Sequence, residues 1–283
     1  MTTTTLTAEL PKARRRSWSA RLVRAELMKL RKRRGLVIAT LALTVLPMLL
    51  AYSVLLSQDG PAGGMENFSG SMSVLTLLSV VASVLVGTTL GTGDTSAGMF
   101  RELVATGRSR LALFSVRVPA GLALLLLIVG LAFAITASAA TAFAGSLEVI
   151  EHDHAGPMGQ EMRDYRAPGG ILLAQSAGWL GLVVVVSFTL ALGFSSLVGS
   201  RGTSIGVLLG WWLVASAVLT NLGTLGSYRE GLAVVALERL APADLFDGPP
   251  AVPMSLAAAA AVVLAWAIVP LAVGAWRTCT RDA

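Results

Sequence analysis

Of the 283 residues, 54% are hydrophobic and only 13% are charged, with a formal net charge of +6. A soluble domain carries about twice that charged share, and a soluble helical fold would show polar helix faces, so a water-soluble chain is excluded. The one cysteine, Cys279, leaves no partner for an intrachain disulfide.

Residues 1–16 open with a run of threonines and contain Pro11 and Arg14, Arg15 and Arg16, the composition of a disordered basic tail. The remainder, 17–283, reads as a single domain. Ser17 is placed to cap a helix over 17–34. On it Ala20, Val23, Leu27 and Leu30 share one face, with Glu26, Lys29 and Arg33 opposite. Such a basic amphipathic helix lies in a membrane interface and meets anionic lipid there.

Six stretches then follow without a single Asp, Glu, Lys or Arg: 35–58, 67–93, 118–147, 167–200, 202–228 and 248–276. A helix needs about 20 apolar residues to cross roughly 30 Å of hydrocarbon, so each qualifies. Runs such as Leu124-Leu125-Leu126-Leu127 contradict the alternation of a transmembrane barrel. The fold class is therefore all-α, with spans at about 36–57, 72–93, 118–144, 171–199, 203–225 and 254–276.

Within these, Pro47 predicts a kink in span one. Spans four and five, separated by Ser200-Arg201-Gly202, form a tight hairpin. Gly206 and Gly210 stand at small-xxx-small spacing, which predicts a close helix crossing, inside the subunit in the first place or else across a dimer. Trp211 and Trp212 are expected to pack, while Gln175 and Asn221 either face a cavity or bond a neighbouring helix. Residues 226–250 are too short and too charged to cross again; they predict one or two short helices dipping into the outer leaflet. The first apolar run is too long for a cleavable signal.

Charge placement orients the chain. Eighteen Lys and Arg fall before span one, between spans two and three, between spans four and five, or after span six. Only Arg163, Arg166, Arg229 and Arg239 fall on the other side, with 11 of the 16 acidic residues. This bias places both termini in the cytoplasm. It also accounts for the basic N-terminus without nucleic acid, which is not expected as a partner.

What is missing narrows the chemistry. The spans hold no ionisable acid or base and no histidine, which disfavours a proton-coupled transporter or a membrane aspartyl protease. The three lysines, Lys12, Lys29 and Lys32, supply no phosphate-binding loop, so this chain does not hydrolyse ATP by that route. Glu151, His152, Asp153 and His154 offer metal-ligand types in an acidic loop, 148–166, but without a supporting shell they read as solvated, and no metal is expected.

The informative segment lies between spans two and three. A short helix over about 96–106 would align Phe100, Leu103 and Val104 on one face. Gly107 is placed to stop it, with Arg108 and Arg110 flanking Ser109. A rigid amphipathic turn on the cytoplasmic side suits docking into a soluble partner.

At this point the chain resembles the membrane subunits of type-2 ABC exporters. Ala25-Glu26-Leu27-Met28-Lys29-Leu30-Arg31, directly before span one, is similar to that family's interfacial elbow helix. Asp94, Gly98, Arg101, Leu103, Gly107, Ser109, Arg110 and Arg117 are similar to its coupling-helix pattern. Met99 stands where Thr is usual, and Asp94 where Glu is commoner.

The resemblance implies a half-transporter, two of which, identical or related, form a path across the plasma membrane. Two ATP-binding subunits carrying MgATP would dock at the coupling helices, and this chain would hold no cofactor and no catalytic residue. Phe100, Leu103 and Val104 would fill the partner groove, with Arg101, Glu102, Arg108 and Arg110 orienting it. The cargo expected from uncharged spans is an amphiphilic or hydrophobic drug, antibiotic or lipid. The rivals are a membrane assembly protein without cargo, and a passive channel, which would show a polar ring that these spans lack.

Overall fold

The computed structural model describes residues 19–57, 64–96, 109–144, 167–243, 245 and 252–280. These are helical, with no strand among them, and six helices are long and apolar enough to cross a membrane. The tail 1–16, Ser17, residues 58–63, residues 97–108 and the acidic stretch 148–166 lie outside the described residues.

The leading helix, Ala20–Lys32, starts three residues later than its predicted boundary, with Ser19 in extended conformation at its N-cap. Its inward stripe keeps three of the four predicted positions. Leu30 is buried, and Val23 and Leu27 pack against the core, while Ala20 is exposed. Arg33 interrupts the helix, and span one (Arg34–Leu56) begins at once and runs unbroken through Pro47.

Span two (Gly64–Ser96) begins eight residues before the predicted 72. Glu66 and Asn67 break the apolar run, but the helix continues because its inner face is carried by Phe68 and Met72, both fully buried. Phe68 meets Phe133 of span three edge-on at 6.4 Å. At 1.5 Å per residue this 33-residue helix is about 50 Å long, well beyond the hydrocarbon thickness.

Span three divides at Val116 into a short helix, Arg110–Ser115, and the main helix Arg117–Ala144. Span four (Gly170–Val198) ends on Gly199 at φ 75°, and span five starts at Arg201, giving the expected tight hairpin. Span five (Arg201–Asn221) contains a π-helical turn at Gly210–Ala215, which nothing in the sequence pattern announced. A 3₁₀ helix, Gly223–Gly231, and an α-helix, Ala233–Arg239, then lead towards span six (Leu256–Thr280). The first of these begins at Gly223, before the 226–250 stretch in which one or two short helices are expected.

Spans two and four form the most extensive contact and are the most buried, followed in contact by spans four and six. Without a hydrophobic drive inside lipid, such crossings rely on small residues that let backbones approach. At Gly87 an added Cβ would lie 2.8 Å from Ala191 Cβ and 2.9 Å from the Phe188 carbonyl oxygen. At Gly91 it would strike Ser195 Oγ. At Gly193 it would strike the Pro270 carbonyl, and at Gly274 it would lie 2.7 Å from the Gly193 carbonyl oxygen.

Gly206 and Gly210, the crossing predicted inside the subunit, face open space instead. The side of span five that carries them is turned away from its neighbours. Gly87 and Gly91 have the same four-residue spacing and are the pair that span four fills.

Hydroxyls on the spans are largely satisfied within their own helices. Thr44, Thr88, Thr92 and Thr136 each donate to the carbonyl four residues earlier. The Asn221 amide does the same to Ala217, so it bonds its own helix, and Gln175 is exposed. This leaves the spans with apolar exteriors, as hydrocarbon requires.

Candidate functional site

Both flanks of the 97–108 segment can be followed. On one side span two carries its helix through Asp94 to Ser96, three residues past its predicted end at 93. On the other, the Ser109 hydroxyl accepts from the Ala112 amide at 3.2 Å and caps the Arg110–Ser115 helix. That helix packs on the end of span six, where Arg110 Nη1 donates to the Cys279 carbonyl at 3.2 Å. Phe114 anchors it in the core, and Arg117 is buried at the opening of the main helix.

The leading helix comes to the same end of the molecule. It packs against spans one and three. Glu26, Lys29, Leu30 and Arg33 form a narrow crevice with Thr89, Leu90 and Gly93 of span two. Lys29 Nζ lies 3.6 Å from Glu26 Oε1, one turn apart on the helix. The Arg33 guanidinium covers Gly93 so closely that a Cβ there would meet its nitrogens at 3.1 and 3.3 Å. Arg31 points away and is exposed.

Five elements thus converge at one end: the leading helix, the end of span two, the Arg110–Ser115 helix, the start of span five and the end of span six. Of the predicted docking residues, Ser109 and Arg110 are placed there with defined contacts, and Asp94 lies in the final turn of span two. Gly98, Phe100, Arg101, Glu102, Leu103, Val104, Gly107 and Arg108 lie outside the described residues. Of the predicted elbow residues, Leu30 is the buried anchor and Leu27 packs beside it.

Sequence reasoning missed the contact between Arg33 and Gly93. Arg33 was one more charge in the positive-inside count, and Gly93 one more small residue at a helix end. The available signal was their shared depth, each at the same boundary of its own span.

The opposite end is fastened by aromatic side chains. Trp179 Nε1 donates to the Leu237 carbonyl at 2.8 Å, and Trp266 Nε1 to the Gly231 carbonyl at 2.9 Å. Trp211, in the π turn, stacks on Trp266 of span six with ring centroids 5.6 Å apart, and Trp212 is buried beside it. Tyr52 of span one joins Ser71 of span two at 3.1 Å and the Thr136 carbonyl of span three at 3.3 Å.

Comparison with known proteins adds one positive finding. Residues 22–160 match the family model described as ABC-2 family transporter protein. The matched stretch takes in most of the leading helix, spans one to three and the whole 94–117 segment. No curated protein matches the chain.

Proposed function

We propose, from the similarity of residues 22–160 to the ABC-2 family transporter protein model, that the chain is the permease subunit of an ATP-driven exporter. It carries an amphiphilic or hydrophobic substrate (drug, antibiotic or lipid) out of the cytoplasm or the inner leaflet of the cell membrane. A separate ATP-binding subunit, present in two copies, hydrolyses MgATP and docks on the segment 94–110. A second permease, identical or related, completes the path.

The observation that carries this reading is the convergence at one end of the molecule. In the chain, the segment with the coupling-helix pattern joins the end of span two to a capped helix braced on span six. Force applied to that segment is transmitted directly to span two and, through Arg110, to span six. The leading helix locks over the end of span two at Gly93, so the same push is also felt at the start of span one.

In this mechanism the partner supplies energy and this chain supplies two arrangements of helices. ATP binds more tightly to the closed pair of partner subunits, and that difference in affinity shifts the helices between inward and outward states. Phe100, Leu103 and Val104 seat in the partner groove, with Arg101, Glu102, Arg108 and Arg110 setting its register.

The test is to co-express the chain with its ATP-binding subunit and measure ATPase stimulation for Phe100→Asp. Stimulation is expected to vanish while insertion and assembly persist, because a buried charge at a docking centre leaves an uncompensated ion. Undiminished stimulation in an assembled complex would remove the docking role.

A further inference from the structure

Between spans one, two and five, at the same end as the leading helix, lies an open recess of about 440 Å³. Three arginines line it, Arg33 and Arg34 at the start of span one and Arg201 at the start of span five. Its wall is apolar, built from Leu36 and Ala39 of span one and Leu85 of span two. Thr89 also lines it, but its hydroxyl is already committed to the Leu85 carbonyl at 2.6 Å. No carboxylate lines the recess, and among the described residues none pairs with Arg33, Arg34 or Arg201.

Three cations gathered beside hydrocarbon repel one another, and an anion between them removes that cost. Arginine forks match phosphate oxygens two at a time, which a surface lysine does not do. Arg34 and Arg201 are also the first residues of their spans, so the positive ends of two helices face the same place. Gly35 adds no side chain there; a Cβ built on it meets nothing within 4 Å, so the backbone is open to a ligand. The volume suits a polar headgroup and the upper part of an acyl chain, not a complete two-chain lipid.

From this geometry we infer that the recess binds one anionic phospholipid from the leaflet on the basic side of the membrane. Its phosphate lies among Arg33, Arg34 and Arg201, and its first methylenes lie along Leu36, Ala39 and Leu85. The lipid bridges span five to the start of span one and fills a seam that side chains leave open. This inference concerns binding by the chain alone and stands apart from the transport reading, whose test reads ATPase stimulation.

The experiment is native mass spectrometry of the full-length chain in mild detergent, with dioleoylphosphatidylglycerol or dioleoylphosphatidylcholine added at equal concentration. Preferential retention of one phosphatidylglycerol per chain is expected. The double variant Arg34→Gln with Arg201→Gln should lower that retention roughly tenfold, the scale of a lost charged hydrogen-bonding pair. Arg21→Gln with Arg24→Gln removes the same charge from the exposed face of the leading helix and should leave retention unchanged.

Ala39→Phe keeps every charge and fills the apolar wall, so it should also lower retention and serves if the arginine variant does not accumulate. Equal retention of the two lipids, or an equal loss in the leading-helix control, would reduce the recess to a general surface field and overturn the site. Displacement of phosphatidylglycerol by soluble glycerol 3-phosphate at matched concentration would overturn the lipid assignment in favour of a free anion.

Discussion

Gly193 and Gly274 set how closely spans four and six approach, because each faces the other helix's backbone and not a flexible side chain. Gly193→Ala forces a methyl against the Pro270 carbonyl, and backbone cannot yield as a side chain end can. The expected cost is about 1–3 kcal/mol, the range for overpacking a tight site, read as a lowered thermal midpoint of the purified protein in detergent. Gly206→Ala meets no atom and removes a helix-weakening glycine, so its midpoint should stay level or rise slightly. A fall in Gly206→Ala equal to that in Gly193→Ala would show that span five is packed more tightly than its contacts indicate.

At the level of elements, the Gly223–Gly231 and Ala233–Arg239 helices are the part most dependent on a few polar contacts. Trp179 and Trp266 each lend one indole N–H to a carbonyl of that segment, and Arg239 Nε donates to the Met254 carbonyl at 2.8 Å. Trp179→Phe keeps most of the ring but removes that donor, leaving the Leu237 carbonyl only the Leu240 amide at 3.2 Å, a loss of about 0.5–1.5 kcal/mol. Hydrogen exchange should quicken in residues 232–240 and stay unchanged in the crossings of spans two, four and six. Uniform quickening would mean that the segment is integral to the core.

The elements themselves were legible because hydrocarbon forbids charge, and a run without Asp, Glu, Lys or Arg is a direct print of membrane depth. The start of span two was not, since Glu66 and Asn67 stand on the exposed side of a turn whose inner side is Phe68. The π turn in span five was also hidden, because one additional residue in a uniformly apolar helix leaves no break in pattern. The glycine crossings illustrate a different gap. Spacing identifies a surface that permits close approach, yet only the partner decides whether Gly87 with Gly91 or Gly206 with Gly210 is used. In the candidate site, the pattern of 94–117 located the segment, while the clasp of Arg33 over Gly93 required the fold.

Taken whole, spans two and four form the buried interior, and span six crosses span four closely while most of its own surface, like that of spans one and five, stays open. The charge distribution predicts that the end bearing the leading helix, Arg110, Arg201 and Cys279 faces the cytoplasm. Cys279 is exposed and is the chain's single thiol, so the unmodified protein reports its own topology. An impermeant maleimide should label it only after the membrane is opened. Cysteine at Tyr228, which is 88% exposed at the opposite end, should be labelled in intact cells once Cys279 is replaced by Ser. The reverse pattern would put the 94–110 segment out of reach of any ATP-binding subunit.

The stacked indoles of Trp211 and Trp266 have a consequence of another kind. They couple the widened turn of span five to span six, and two rings at that separation share their electronic transitions. A swing of one helix past the other cannot preserve the stack. The near-ultraviolet circular dichroism of the unlabelled protein therefore doubles as a gauge of that swing, with signal lost as the rings part and regained as they close.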